Sequence, residues 1–384
     1  MAVRNRYLQI AIILIGFLLI ANVLYYRASS NLIGYLHHEP TSDYCQSGRC
    51  EAVGDNADLE PIHSSGPAFT IVSAASMGHF CEMEAFIYSV KDASDILEPN
   101  QRPRFVIYDL GLLPEQVEIL MNLREKGVIS EYVAFNFSNY PAFWDLEATP
   151  RGEYAWKAGI INEMADRYGG LVVWMDAGDM PSADFLRTIP AILRRKGFFS
   201  SQSAGTMRDF THPGMFEYFH ENPEHFAKKP NCNGAVLGFD AENANVMEKL
   251  LRPWLACAKV HECIAPRGSN RENHRQDQAV LTYLVVKNED TYHFKCQGTP
   301  ATFGVATHQD RFCAPRLRDR KAKGQLYSPS SIDLPKWTKL NRQHLKEKEM
   351  ERKAREQQEN AERAEKEREE KEKNLEIMEA EMMK

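Results

Sequence analysis

Residues 171–179 read Leu-Val-Val-Trp-Met-Asp-Ala-Gly-Asp. A short, continuously apolar run that ends in a turn predicts a strand buried on both faces, as in a parallel sheet. Asp176 and Asp179 then fall just past its carboxyl end, where open α/β sheets bind their ligands. Two carboxylates flanking Ala177 and Gly178 can approach a hard cation and leave its far side free for a phosphate. The plain alternative makes Asp176 a turn former and Asp179 the cap of the next helix, with Pro181 in its first turn.

Outward from this stretch the pattern alternates. Phe69 to Ala75 reads as a strand, Cys81 to Ala93 as a helix, Arg104 to Asp109 as a strand, Pro114 to Glu125 as a helix and Ile129 to Phe135 as a third strand. Strands that alternate with helices predict a parallel sheet with right-handed crossovers. Tyr154 to Tyr168 reads as the helix before the key strand, ended by Gly169-Gly170, and Ser182 to Arg195 as the helix after it. Further on, Phe198 to Ser203, Asn231 to Asp240 and Thr291 to Cys296 read as strands, and Glu242 to Cys257 and Gln276 to Val286 as helices. Thr302 to Asp310 closes the folded part. The fold class is α/β, a Rossmann-type, mostly parallel sheet flanked by helices.

The two ends differ from this middle. Tyr7 to Tyr26 carries no charge, is about 20 residues long and can cross a hydrocarbon core as a transmembrane helix. Arg4 and Arg6 precede it, so residues 1–6 are expected in the cytosol and the rest in a lumen. A cleaved signal peptide is the competing reading; the run is long for one and lacks a clear small-x-small cleavage site. Residues 27–65 read as a stem, 66–329 as the catalytic domain and 330–384 as a charged helical or coiled-coil tail. Glu349 with Lys353, Glu351 with Arg355, Glu359 with Arg363 and Glu367 with Lys371 are favourably ordered pairs, each worth about 0.2–0.5 kcal/mol. Apolar residues at a and d positions are nearly absent, which favours a solvated single helix over a dimeric coiled coil, with a protein partner as the other use of this helix.

Composition excludes several classes. A formal net charge of −6 argues against a nucleic-acid binder. Without G-x-G-x-x-G after the first strand, G-x-x-x-x-G-K-[ST] or G-x-S-x-G, there is no support for a dinucleotide dehydrogenase, a P-loop kinase or an α/β-hydrolase. The eight cysteines suit an oxidising compartment. Cys45 with Cys50, Cys257 with Cys263, and Cys296 with Cys313 are the expected pairs, and no zinc spacing occurs. Asn136-Phe137-Ser138 is a glycosylation sequon.

A signal-anchor and stem, an acidic turn after a buried strand, an Asn233-Gly234 strand start, an Asp277-Gln278 helix and a late His308 together resemble lumenal nucleotide-sugar glycosyltransferases of the A-type (GT-A) fold. The likeness covers about two-thirds of the chain and leans toward retaining members. It implies that Asp176 and Asp179 hold a divalent metal, usually Mn2+, that bridges the donor's two phosphates, with His308 as a third ligand. The D-A-G-D spacing departs from the family's D-x-D by one residue, so one acid is also a candidate for ribose or water. By the same resemblance Lys157, Asp176, Asn233 and Gly234 touch the nucleotide sugar, and Asp277 and Gln278 contact sugar and acceptor. Each has a plainer alternative: Lys157 a solvated helix lysine, Asn233-Gly234 a turn before a strand, Asp277 a helix cap, His308 a surface or packed histidine. His212-Pro213-Gly214 lines the acceptor cleft or shapes a loop.

The expected function is therefore transfer of a sugar from a nucleotide-sugar donor to a glycan, protein or lipid acceptor, at a Golgi or endoplasmic-reticulum membrane. A carboxylate-held cation would stabilise the departing nucleoside diphosphate as a Lewis acid. The alternative is a catalytically inactive lumenal scaffold of the same fold that works through its charged C-terminal helix.

Overall fold

The computed structural model describes residues 67–334 and, in the charged stretch, 350, 353, 354 and 368. The apolar run Tyr7–Tyr26, the stem, Cys45, Cys50 and most of the charged tail lie outside the described residues. Among the described residues no helix is long and apolar enough to cross a membrane.

A six-stranded sheet organises the domain. It contains β1 (Thr70–Ala75), β2 (Arg104–Asp109), β3 (Glu131–Ala134), β4 (Leu171–Met175), β6 (Phe198–Thr206) and β7 (Pro230–Asp240), in the order β3-β2-β1-β4-β7-β6. A separate ribbon pairs β5 (Met180–Pro181) with β8 (Val305–Ala306). In the main sheet β1 to β4 are mutually parallel and β7 runs against both its neighbours, so the sheet is mostly parallel, as expected.

Alternation along each strand divides the core. Val72, Val106, Val172 and Trp174 point to one face, and Ile71, Ile107, Val173 and Met175 to the other. The first face is covered by α3 (Ala155–Tyr168), α5 (Pro213–Tyr218), α6 (Arg252–Ala258) and α7 (Gln276–Lys287). The second is covered by α1 (Phe80–Asp95), α2 (Pro114–Glu125), α4 (Ala183–Lys196) and α8 (Cys313–Ala322). All five residues of β4 are buried, which a strand covered by helices on both sides requires. Asp109, the acid at the end of β2, is used locally: it accepts from the Gly111 and Leu112 amides and the Tyr132 hydroxyl.

Three expectations change. Thr291–Cys296 is not a strand. Glu289–Tyr292 forms a helical turn, and the chain after it runs beside β6, where Gln297 N–H donates to Ser200 O and Gln202 N–H to Gly298 O. Cys296 therefore lies against β7 and pairs with Cys232, while Cys313, opening α8, pairs with Cys81 on α1. Cys257–Cys263 forms as expected. The helix read over 242–257 is interrupted by a π-turn, Met247–Leu251, just before Pro253, whose missing N–H disfavours an unbroken α-ladder.

Packing also continues beyond residue 329. Ser330 and Ser331 are buried, and Glu84 on α1 accepts from the Ser331 amide (2.9 Å) and hydroxyl (2.6 Å) through Oε2. Burial raises the Glu84 pKa; the serine hydrogen bonds oppose that shift and lose. In the pH range above the ordinary carboxylate pKa, the folded chain keeps this proton after the unfolded chain has lost it. Stability therefore falls as pH rises from the unfolded pKa to the folded one. Glu84→Gln keeps an acceptor for Ser331 and removes the titration. The expected result is a melting temperature a few degrees above wild type at neutral pH, with the gain fading once the medium is acid enough to protonate the unfolded carboxyl. A pH-independent difference would refute this account.

Candidate active site

Trp174 and Asp176 point to the same side of β4 and its extension, and the Trp174 indole N–H donates to Asp176 Oδ1 at 2.7 Å. On that side the first turn of α3 delivers Lys157, only 4% exposed. Its Nζ lies 3.1 Å from Asp176 Oδ1 and 3.2 Å from Asp277 Oδ2, and donates to the Gly234 carbonyl at 3.0 Å. It also sits 5.2 Å from the centre of the Trp174 ring. Groups from β4, β7, α3 and α7 thus meet at one ammonium.

Burial alone would lower the Lys157 pKa; the Asp176 and Asp277 carboxylates outweigh it and keep the ammonium charged. The pKa of Asp277 is also raised: burial comes first, Lys157 pulls it down, and the Asp176 charge adds to the rise. Partners in a simple ion pair would shift in opposite directions. Here one ammonium serves two carboxylates, and Asp277 is the deeper of the two. Asp277 is not a cap: Arg275 occupies the N-cap, without a side-chain bond, and the Asp277 carboxylate turns to Lys157.

Asp179 is 1% exposed, and among the described residues neither carboxylate oxygen meets a donor at hydrogen-bonding geometry. Burial and then the Asp176 charge push its pKa well above the ordinary carboxylate range, while Lys157 and the Asp176 and His308 amides pull weakly the other way. It does not cap the next helix either; Ser182 does, accepting from the Phe185 amide at 3.1 Å, and Pro181 lies in β5. If all ionise, Asp176, Asp179 and Asp277 against Lys157 give −3 + 1, a formal −2.

The β5–β8 ribbon brings His308 to this turn. Met180 pairs with Ala306, and the Gln309 amide donates to Gly178 O at 2.7 Å. The backbone of His308 is what approaches Asp179. Its ring is exposed, on a residue with φ of +57°, and makes no hydrogen bond or ion pair among the described residues. Among the described residues no three His, Cys, Asp or Glu side chains stand together at ligating separation. The orphaned Asp179 carboxylate beside Asp176 still supplies the hard oxygen donors that Mg2+ or Mn2+ takes, with phosphate and water oxygens to complete the shell.

Asn233 and Gly234 begin the buried part of β7. Asn233 Oδ1 accepts from the Ala235 amide at 2.7 Å, and the Asn233 amide and carbonyl both bond the Ser200 hydroxyl. A Cβ on Gly234 would lie 3.3 Å from Cβ and Oε1 of Gln278, so glycine lets that side chain pack flat on the strand. Gln278 Nε2 is a buried donor with no partner among the described residues.

One part was not legible beforehand. Residues Arg151, Gly152, Glu153 and Tyr154 all have φ between 49° and 60°, a left-handed turn that feeds α3. Gly152 is obligatory there, since a Cβ would stand 2.0 Å from the Trp144 carbonyl oxygen. Glu153 accepts from Gln276 Nε2 at 3.1 Å, and Gln276 itself has φ of +34°. The turn therefore ties the start of α3, with Lys157, to the start of α7, with Asp277. Pro150 and Gly152 hinted at a break; nothing in the sequence hinted at this joint.

No protein-family model and no curated protein matches the chain. Among solved structures, similar folds include a galactosyltransferase, LgtC, in complex with donor and acceptor sugar analogues: 14% identity, TM-score 0.41, covering 68% of this chain and 98% of that one. Mouse xyloside xylosyltransferase 1 in its apo form is 10% identical, with TM-score 0.39, covering 62% and 96%. Core-mannan synthase A from Aspergillus fumigatus, in an Mn/GDP form, is 9% identical, with TM-score 0.36, covering 59% and 71%. Similarities this low leave the chemistry to be read from the chain's own side chains.

Proposed function

We propose that the chain transfers a sugar from a nucleotide-sugar donor to an acceptor hydroxyl at the Lys157–Asp176–Asp277 cluster. The observation that carries this reading is the buried Lys157 ammonium, shared by Asp176 and Asp277 at the carboxyl ends of the strands and next to an orphaned Asp179 carboxylate. Buried titratable groups with shifted pKa values and a specific charge partner, set at strand ends, are candidates for a functional site. In the reaction the bond between the anomeric carbon and the diphosphate oxygen breaks, a bond to the acceptor oxygen forms, and the acceptor's hydroxyl proton passes to a carboxylate or to the departing diphosphate. Negative charge grows on the leaving diphosphate, and Lys157 offers it a fixed positive charge that needs no reorganisation. Asp277, held by Lys157, lies where a carboxylate can serve the reacting sugar, and the free Gln278 amide can donate to a sugar hydroxyl. Asp176 and Asp179 would hold a divalent cation, which when bound supplies Lewis-acid stabilisation of the same diphosphate.

The three disulfides among the described residues suit a lumenal, oxidising site of action, to which a membrane anchor at Tyr7–Tyr26 belongs as part of the proposal. The test is thermal melting of the purified full chain against a panel of sugar nucleotides, with and without manganese. A ligand that binds the folded chain raises its melting temperature by mass action. One donor class should give a manganese-dependent rise of several degrees. Asp176→Asn should lose that rise while still folding, because Asp176 is 40% exposed and Lys157 keeps Asp277. No rise with any nucleotide would favour the inactive scaffold.

A further inference from the structure

Beside the Lys157 cluster stand three arginines without a carboxylate. Arg151 and Arg271 both donate to the phenol oxygen of Tyr154, and their guanidinium groups lie 5.7 Å and 5.0 Å from the centre of its ring. Arg275 packs 3.5 Å over the Phe210 ring and donates to Ser203 Oγ at 2.9 Å. None of the three forms an ion pair among the described residues. Burial, and then the nearby Arg271 charge, lower the pKa of Arg275, so these cations also repel one another.

The surroundings hold them in place. Arg151 and Tyr154 belong to the left-handed turn, whose Arg151 carbonyl accepts from the Trp156 indole at 2.9 Å. The loop that carries Arg271 is laced by Asn270 and Asn273, and is closed by buried His274, which bonds the Ile264 carbonyl and accepts from the His212 amide. Strained backbone that survives in a rigid setting is a mark of functional sites. Two guanidiniums converging on one phenol oxygen, uncompensated and pre-ordered, match the planar, multi-donor recognition of an oxyanion.

We infer that Arg151, Arg271 and Arg275 form a binding site for the oxyanion of an acidic acceptor, such as a sugar bearing a carboxylate, sulfate or phosphate. The site joins the Lys157 cluster through aromatic rings: Tyr154 to Trp156 (6.1 Å) and Trp156 to Trp174 (5.9 Å), with Trp174 bonded to Asp176. Its anchors, Ser203 within β6 and Phe210 after that strand, lie two strands across the sheet from β4, on the β6–β7 side. That position suits the acceptor rather than the donor diphosphate. The acceptor assignment rests on the transferase reading; the anion site does not.

The probe is inorganic phosphate, titrated into the full chain and followed by phosphorus NMR line broadening and by melting temperature at constant ionic strength. Wild type should bind it, and the double variant Arg151→Gln/Arg271→Gln should bind at least about tenfold more weakly. Asp176→Asn should keep its phosphate affinity. Both arginines are exposed, so the double variant should fold as wild type does, which its melting temperature without phosphate checks. A second titration adds manganese with UDP, GDP or CDP. If a nucleotide binds and phosphate still binds alongside it, the acceptor assignment holds. If the nucleotide displaces phosphate, the donor fills the site and the acceptor assignment falls. If phosphate binds and no nucleotide does, the anion site stands while the transferase reading fails. Equal phosphate affinity in wild type and the double variant overturns the anion site itself.

Discussion

Lys157→Met is expected to abolish sugar transfer and to lower the melting temperature by roughly 10 °C. Removing one member of a buried charge group leaves the others uncompensated, at a penalty of about 3–5 kcal/mol. In a domain of this size each kcal/mol shifts the midpoint by roughly 2–4 °C. Most of the penalty should fall on Asp277, which is 8% exposed by side chain, whereas Asp176 at 40% can rehydrate. Adding Asp277→Asn to Lys157→Met should therefore restore much of the melting temperature without restoring turnover. If Lys157→Met melts as wild type does, the ammonium is not the keystone proposed above. If it melts low but still turns over, the residue stabilises the fold and takes no part in the reaction.

Opening the Cys81–Cys313 bridge should cost at least as much in melting temperature. The bridge closes a loop of 232 residues, and the chain-entropy relation gives such a loop about 5 kcal/mol, against about 2 kcal/mol for Cys257–Cys263 with its separation of 6. Cys81→Ala/Cys313→Ala should melt roughly 10–20 °C below wild type, and Cys257→Ala/Cys263→Ala much less far below it. The two bridges differ in kind as well as length. Cys257–Cys263 spans one local turn, whereas Cys81–Cys313 holds α8 on α1, across the sheet face that also buries Phe86, Ile107 and Leu317. Equal losses from the two double variants would mean that contacts, not loop closure, set the stability.

Local signals carried most of the fold. The apolar runs of β1, β2 and β4 and the periodic helices between them were readable because burial on two faces, or on one stripe, leaves a short-range pattern. β7 was read as a strand, but its antiparallel direction was not, because direction depends on partners far away in sequence. Cys232–Cys296 escaped for the same reason: the pair is 64 residues apart and meets only because the segment after Tyr292 runs beside β6. In the site, Asp176, Asp277 and Lys157 were each named, yet no sequence spacing could say that one ammonium joins both acids. Of the two readings of Asp179, ligand or cap, Ser182 takes the cap, and no local sequence signal says that the Asp179 carboxylate is buried without a hydrogen-bond partner among the described residues. Arg271 is legible as part of a polar loop with two arginines, but its grouping with Arg151 and Arg275 is not, since Arg151 lies in an irregular stretch and the left-handed turn that presents it has no periodicity.

Ser330 and Ser331 also decide where the chain can be cut. A version ended at Pro329, the boundary that composition suggests, would keep Glu84 in the interior and strip away its hydrogen-bond donors from Ser331. The charged stretch that follows can be exchanged, tagged or deleted only downstream of Leu334. Any graft made there begins beside α1, on the face of the sheet opposite to α3 and Lys157.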